Sequence, residues 1–510
     1  MIPNLLTWIV FFPLVGALLI LAIPREQKNA IRSIAAGTSI ITLILSILAW
    51  IGFDRSQSGM QFVESYSWIN LGDFQIYYDL GVDGLSMPLL LLVTLITTLS
   101  ITASFNIKER VKEYFTWILI LMTGLLGVFV AQDLFLFFLF FELTLIPVFF
   151  LISIWGGKER EPASIKFLIY NGLGSAVMVM AFIALAYKAF EATAFSHATF
   201  NISALADIFS NPEVSGVLTD SLKAGIFLAL LIAFAVKLPI IPLHTWLPNA
   251  YVEAPTGVSM MLAGVLSKMG AYGLLRISYG ILPDQAVNFA TFIAILGVVN
   301  ILYGAFIALV QTDLKKLIAY SSISHLGIVL LGVASVTEAG IQGAVFQLVS
   351  HGFIVALLFF MVGAIYERTN TRTISELGGL SKSVPVLAGF MLAAAMASLG
   401  LPGLSGFVSE LLAFIGIFGA SAEIIPAARV IAVVGAIGII FTAAYLLWAM
   451  QRTTFGKMDE KYLGLPDARP MEYIPMIGLL GLSLLIGVYP SILSDVINTT
   501  VIDIVSKIGG

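Results

Sequence analysis

The chain has 510 residues, 59% of them hydrophobic and only 11% charged, with a mean hydropathy of +1.00. A soluble globular chain carries about 25% charged residues, so this composition excludes every class except a polytopic membrane protein, and the net charge of −4 says little about partners. Cysteine is absent, which excludes iron–sulfur clusters, thiolate metal sites, disulfides and thioether-linked haem.

A bilayer core about 30 Å thick takes about 20 apolar residues in a helix. By that measure the chain is one all-α membrane domain, 1–510, with about fourteen spans. The first three, near 3–23, 33–52 and 84–105, belong to residues 1–113. The opening MIPNLLTWIVFFPL has neither a basic n-region nor a small-residue cleavage site and reads as a retained first span. Five spans follow near 114–131, 133–155, 165–187, 223–243 and 256–277. Five more lie near 286–309, 314–334, 339–365, 385–418 and 427–450, and a last one near 474–490 leaves a short tail. The stretch 385–418 is long enough to contain a break. The longest polar connections are 53–83 and 188–222, and neither is low-complexity.

Basic residues test this division, because cytoplasmic loops carry the Lys and Arg excess. Eighteen of the 26 fall in odd-numbered loops, within 25–32, 108–112, 158–166, 315–316, 368–382 and 452–469. Six fall in even-numbered loops or the tail: Arg55, Lys188, Lys223, Arg276, Arg429 and Lys507. Setting aside basic residues within about four residues of a span end, Lys237 and Lys268 alone remain inside spans, and no arginine does. This pattern predicts both termini on the non-cytoplasmic side.

Two spans carry a proline break beside an ionisable residue. One is FAVKLPIIPLHTW, with Lys237, Pro239 and Pro242; the other is LPGLSGFVSE, with Pro402, Gly403, Gly406 and Glu410. They lie five spans apart. Five is odd, so a repeated five-helix unit must insert with opposite topology. Paired interrupted spans in matching positions point to an inverted repeat, here 114–277 and 286–450. Broken backbone at membrane depth needs protein or a water-filled cavity to satisfy it.

Glu142 lies nine residues beyond Asp133, about 14 Å along a helix, and is as deep as Lys237 and Lys268. Glu410 follows the second break. Burying such charges costs at least a few kcal/mol, so they usually face a cavity and mark an ion path. The alternative is a set of ion pairs that brace helices. Desolvation favours neutral lysine and neutral glutamate, while a nearby carboxylate opposes the shift on lysine. A lysine whose carboxylate partner moves therefore changes its proton affinity, which arginine could not do.

His325 in SSISHLGIVLL and His351 in QLVSHGFIVALL add groups that relay protons at ordinary pH; core hydrogen bonding and a two-histidine haem are the alternatives. Ser321, Ser322, Ser324 and Ser350 either hold water or pack as small residues. His244 either lines a pore or caps a helix, and His197 sits in an outer loop. Asp133 and Asp313 read as helix-start acids. No Walker loop, dinucleotide fingerprint or metalloprotease motif occurs, so nucleotide and flavin are not expected on this chain.

The run KLPIIPLHTWLPNAYVEAPTGVSMMLAGVLSKMGAYGLLR at 237–276, with DLKKLIAYSSISHLG at 313–327 and LPGLSGFVSE at 401–410, strongly resembles the antiporter-like membrane subunits of complex I. The likeness covers essentially the whole chain. An acid at Glu410, where other branches have lysine, and a tail without a long lateral helix resemble the subunit M, or chain 4, type. That resemblance implies a proton-translocating subunit of an NAD(P)H- or ferredoxin-quinone oxidoreductase. Quinone, FMN and iron–sulfur clusters would sit only in partner subunits, which include L-type and N-type relatives. The membrane would be a bacterial plasma membrane or a cyanobacterial thylakoid. A multisubunit Na⁺/H⁺ antiporter is the rival, and a purely structural subunit a third reading.

The same resemblance assigns roles: Glu142 pairs with Lys237, Lys268 is the central relay, His325 and His351 join the two halves, and Glu410 is the terminal group. One departure is visible. Aligning Asp133-Leu with Asp313-Leu puts Ser322 opposite Glu142, so the second half lacks the same Glu–Lys pair.

Overall fold

The computed structural model describes residues 2–71, 74–194, 198–211 and 217–509; His197 lies outside them. Twelve helices among the described residues are long and apolar enough to cross a membrane. Helix is what a bilayer demands, since each segment then satisfies its own backbone.

The chain begins with α1 (Leu5–Ala22), α2 (Lys28–Gly52), α3 (Ser86–Ala103) and α4 (Val111–Val130). Next, α5 (Leu134–Leu143) and α6 (Leu145–Trp155) form one span interrupted at Thr144, and α7 (Arg160–Ala192) runs past its expected end. The short α8 (Ile202–Ser210) lies in the 188–222 connection. The first break separates α9 (Asp220–Lys237) from α10 (Trp246–Glu253). Residues 256–279 are helical throughout, as α11 (Thr256–Met261), a π-turn at Leu262–Leu266, α12 (Lys268–Gly273) and a second π-turn at Leu274–Tyr279. Three long helices follow: α13 (Pro283–Leu309), α14 (Leu314–Ala334) and α15 (Glu338–Thr369). The second break separates α16 (Pro385–Ser398) from α17 (Ser405–Phe418), and α18 (Ala428–Met450), α19 (Tyr473–Val488) and α20 (Ser491–Gly509) complete the chain.

Burial ranks these helices. The apolar windows of 256–279 and α15 are fully buried and that of α14 nearly so, whereas only 33% of the α2 window and 28% of the α19 window is buried. Lys268, His325 and His351 therefore stand on the innermost helices. Starts are capped as the sequence suggests. The Asp133 carboxylate accepts from Phe135 N at 2.9 Å and Leu136 N at 3.1 Å, and Asp313 accepts from Lys316 N at 3.1 Å. Each such cap is worth about 1 kcal/mol.

Three features differ from the sequence reading. The 53–83 connection is not structureless: β1 (Gln61–Leu71) pairs antiparallel with β2 (Phe74–Val82), Tyr66 opposite Tyr78, and β3 (Ala198–Thr199) adds a short parallel edge. An all-α fold thus carries a small sheet, favoured by the aromatic and β-branched content of QFVESYSWINL. The tail is not merely short. It forms α20, which buries Leu493, Val496, Ile497 and Val501 and accepts Gly84 N on Thr500 Oγ1 at 2.9 Å. Finally, Arg276 is not in a loop. It closes the 256–279 helix and is mostly buried, 2.5 Å from Asp83. Arginine is admitted because the carboxylate comes with it; an unpaired one would be far costlier.

Candidate functional site

The first break follows from its prolines, which end the α9 hydrogen-bond ladder. Its freed backbone groups are taken up by side chains. Asn300 of α13, fully buried, accepts from Ile241 N at 2.9 Å and donates to Pro239 O at 3.2 Å. Trp246 Nε1 donates to Val236 O at 2.8 Å. Lys237 is thereby the last residue of α9, 1% exposed, with its ammonium held among neighbours from α5–α7. Nζ donates to Thr144 Oγ1 at a long 3.5 Å and sits 4.6 Å above the Phe141 ring.

Phe141 and Thr144, close to Glu142 on the same span, both meet the Lys237 ammonium, yet Glu142 and Lys237 are not joined as a direct ion pair among the described residues. Glu142 Oε1 is buried without a hydrogen-bond partner there. The cluster is open: charges are near each other but not locked.

The second cluster is a line of neighbouring side chains. Lys268 Nζ contacts His351 Nδ1 at 2.9 Å and also donates to Ala263 O. The His351 and His325 rings lie 5.6 Å apart. His325 Nδ1 is 3.3 Å from Glu410 Oε1, and its Nε2 is 3.2 Å from Ser398 Oγ. All four titratable side chains are at least nine-tenths buried. A cavity of about 10 Å³ lies between His325, Gln347, His351, Ser398 and Glu410. That is room for about one water.

Backbone geometry explains how Glu410 gets there. The α16 helix ends at Ser398, and Gly400 and Gly403 take φ of +79° and +93° before α17 starts at Ser405. Glycine suits this left-handed backbone. A Cβ on Gly400 would also sit 2.8 Å from Glu410 Oε2.

The six expected residues thus fall into two groups, Glu142 with Lys237, and Lys268 with His351, His325 and Glu410. No hydrogen bond among the described residues joins Lys237 to Lys268. Between them α9 and α12 cross closely, for a Cβ on Gly270 would lie 2.7 Å from both Leu238 N and Phe234 O. His244 stays apart, edge-on to Tyr303 with ring centroids at 5.3 Å, while its carbonyl accepts from Leu247 N. Sequence reasoning missed Thr144, Asn300, Ser398 and Gln347. Asn300 had a signal, as the lone amide in FIAILGVVNILYGAF.

With this geometry in hand, the relatives are informative. Residues 131–464 match the family described as "NADH:quinone oxidoreductase/Mrp antiporter, TM". The chain belongs to that family. Within it, the chain is 42% identical over 99% of its length to "NAD(P)H-quinone oxidoreductase chain 4 1" of Picosynechococcus sp., covering 92% of that protein. It is 41% identical to "NADH-quinone oxidoreductase subunit M" of Rhodobacter capsulatus, over 99% of this chain and 97% of that one. In structure it is similar to a chain of respiratory complex I from Thermus thermophilus, with a TM-score of 0.85, 28% identity, and coverage of 99% and 100%. The Mrp complex of Dietzia sp. shares the fold, with a TM-score of 0.79 over 97% of this chain and 51% of that one, at 23% identity.

Proposed function

We propose that this chain is the proton-translocating M-type membrane subunit of an NAD(P)H- or ferredoxin-quinone oxidoreductase. Redox chemistry in partner subunits drives it. The observation that carries this reading is the buried line Lys268–His351–His325–Glu410, whose neighbours are within hydrogen-bond or ring-contact distance. Every member can gain or lose a proton, and none is an arginine.

The chain's own residues act as follows. Lys237 holds a proton as an ammonium whose affinity depends on how closely Glu142 approaches. Lys268 takes up a proton and passes it to the facing nitrogen of His351. His351 and His325 transfer it across the bundle centre, and Glu410 receives it beside the second break. The hydroxyl of Ser398 sets the orientation of the His325 ring. Residues 114–277 and 286–450 act as the two inverted units, and the basic loops face the cytoplasm. The electron-transferring cofactors, FMN, iron–sulfur clusters and quinone, belong to partner subunits, which include L-type and N-type relatives.

Lys268→Met in the assembled complex tests this. Protons moved per electron should fall with electron transfer retained. Full pumping with normal assembly would reduce the chain to a structural subunit.

A further inference from the structure

By sequence Lys315 belongs with the basic loop residues, but it is 5% exposed. Its ammonium donates to Val252 O at 3.3 Å, Ala254 O at 2.7 Å and Ser259 Oγ at 3.1 Å. Capping the α10 carbonyls would account for a cation here. It does not account for the ground on either side.

Outward, Lys315 borders a cavity of about 770 Å³, open to the face that carries the basic loops. Glu253, Asp313, Arg372, Lys158 and Glu159 share its lining. A space of that size and polarity admits many waters.

Inward, polar groups continue toward Lys268. Ser259 Oγ, which receives from Lys315, itself donates to Tyr251 O at 2.9 Å. Tyr251 is fully buried, and its hydroxyl reaches Leu262 O at 2.9 Å. The adjacent carbonyl, Ala263 O, is the one that holds the Lys268 ammonium. Ser267 lies beside the Tyr251 hydroxyl, buried, with no hydrogen-bond partner within the criteria for its Oγ. This ground is the π-turn Leu262–Leu266, whose wider winding leaves carbonyls free to accept side chains.

We propose that Lys315, Ser259 and Tyr251 form a second proton entrance, running from the basic-loop face to Lys268 without passing Glu142 or Lys237. A hydronium ion in the cavity protonates the neutral Lys315 amine. The ammonium releases one proton inward as it reverts to amine. The Ser259 and Tyr251 hydroxyls turn from the backbone carbonyls they now donate to towards bridging water, each gives up one proton as it takes one, and the Lys268 amine receives the last. No electron moves.

This rests on the reading of Lys268 as a relay, so the test separates the two. Four variants of the whole complex, reconstituted in vesicles, are compared by protons moved per electron: Lys315→Arg, Tyr251→Phe, Ser259→Cys and Lys268→Met. Arginine keeps the charge and the carbonyl contacts but cannot release the proton. Lys315→Arg and Tyr251→Phe should each slow proton movement about tenfold, less than the roughly hundredfold or more of a positioned acid–base group in catalysis, because water bridges part of the route. Because the chain lacks cysteine, label found on it after Ser259→Cys reports that thiol alone. A small thiol reagent added on the basic-loop face should modify it. Wild-type pumping in both Lys315→Arg and Tyr251→Phe, with Lys268→Met defective, overturns the second entrance and leaves the relay standing. Normal pumping in Lys268→Met overturns the relay and the entrance together. If Lys315→Arg fails to assemble, Tyr251→Phe decides: a slowed relay supports the entrance and a normal one overturns it.

Discussion

The two halves of the site differ in how tightly they are joined. Around Lys237 the groups are close but unlocked. The hydroxyl contact is 3.5 Å, an aromatic face supports the ammonium, and Glu142 keeps an unpartnered oxygen. From Lys268 to Glu410 two direct polar contacts, Lys268–His351 and His325–Glu410, are joined by histidine rings whose centroids lie 5.6 Å apart, with His351 Nε2 unpartnered among the described residues. The lesson is about roles. A switch needs a partner that can approach and retreat, and a locked buried pair would cost several kcal/mol to open. A relay needs standing contacts, because proton transfer requires hydrogen-bond reach, directly or through one water, and the small cavity beside His325 and His351 has room for that water.

The sharpest way to break this contrast is Glu410→Gln. If the second cluster is a relay, removing its acid should slow proton movement by about tenfold or more. Pumping at the wild-type rate in vesicles would mean that the contact line is packing and nothing else. Next in size is Arg276→Met, which strips the partner from buried Asp83 at the C-terminal end of the 256–279 helix that bears Lys268. Stability should drop by about 3–5 kcal/mol, read as an earlier thermal transition of the purified complex. Asp83→Asn added to Arg276→Met should recover much of it, and no recovery would show that the pair does more than neutralise charge.

Asn300→Leu probes the support of the open cluster. It leaves Ile241 N and Pro239 O without their partner, at about 1–3 kcal/mol for each unsatisfied group. Thermal stability should fall and proton movement through Lys237 with it; an unshifted transition would mean that the break closes by other means. The smallest effect belongs to Thr144→Val. A 3.5 Å contact carries less than the ~1 kcal/mol of a well-formed hydrogen bond, so pumping should stay within about twofold of wild type. A large loss there would make Thr144 a member of the switch and would erase the distinction between the clusters.

Much of this was readable from the chain. Lys237, Lys268, Glu142 and Glu410 announce themselves because a charge inside an apolar run has no inexpensive explanation. Asp133 and Asp313 read correctly as caps because capping is local. The Asp83–Arg276 pair was not readable. Each residue sits at a segment end, where a charge normally meets water, and only the fold turns both inward. Lys315 was misplaced among loop residues for the same reason. The hairpin β1–β2 was missed because its polar and aromatic residues alternate in a connection already assigned by its low hydropathy. The helix α20 was passed over because its apolar face occupies only one side.

Membrane insertion, the order of segments, the two breaks and the midspan charges Glu142, Lys237, Lys268 and Glu410 were settled by the sequence alone. All of these depend on sums over neighbouring residues. Which charges touch was decided only by the tertiary structure. Lys268 meets His351, and His325 meets Glu410, across helices far apart in the chain, while Glu142 stops short of Lys237. Such contacts depend on helix rotation and crossing distance, set by features such as the close approach at Gly270 and the left-handed turn at Gly400, and no local pattern of residues encodes them.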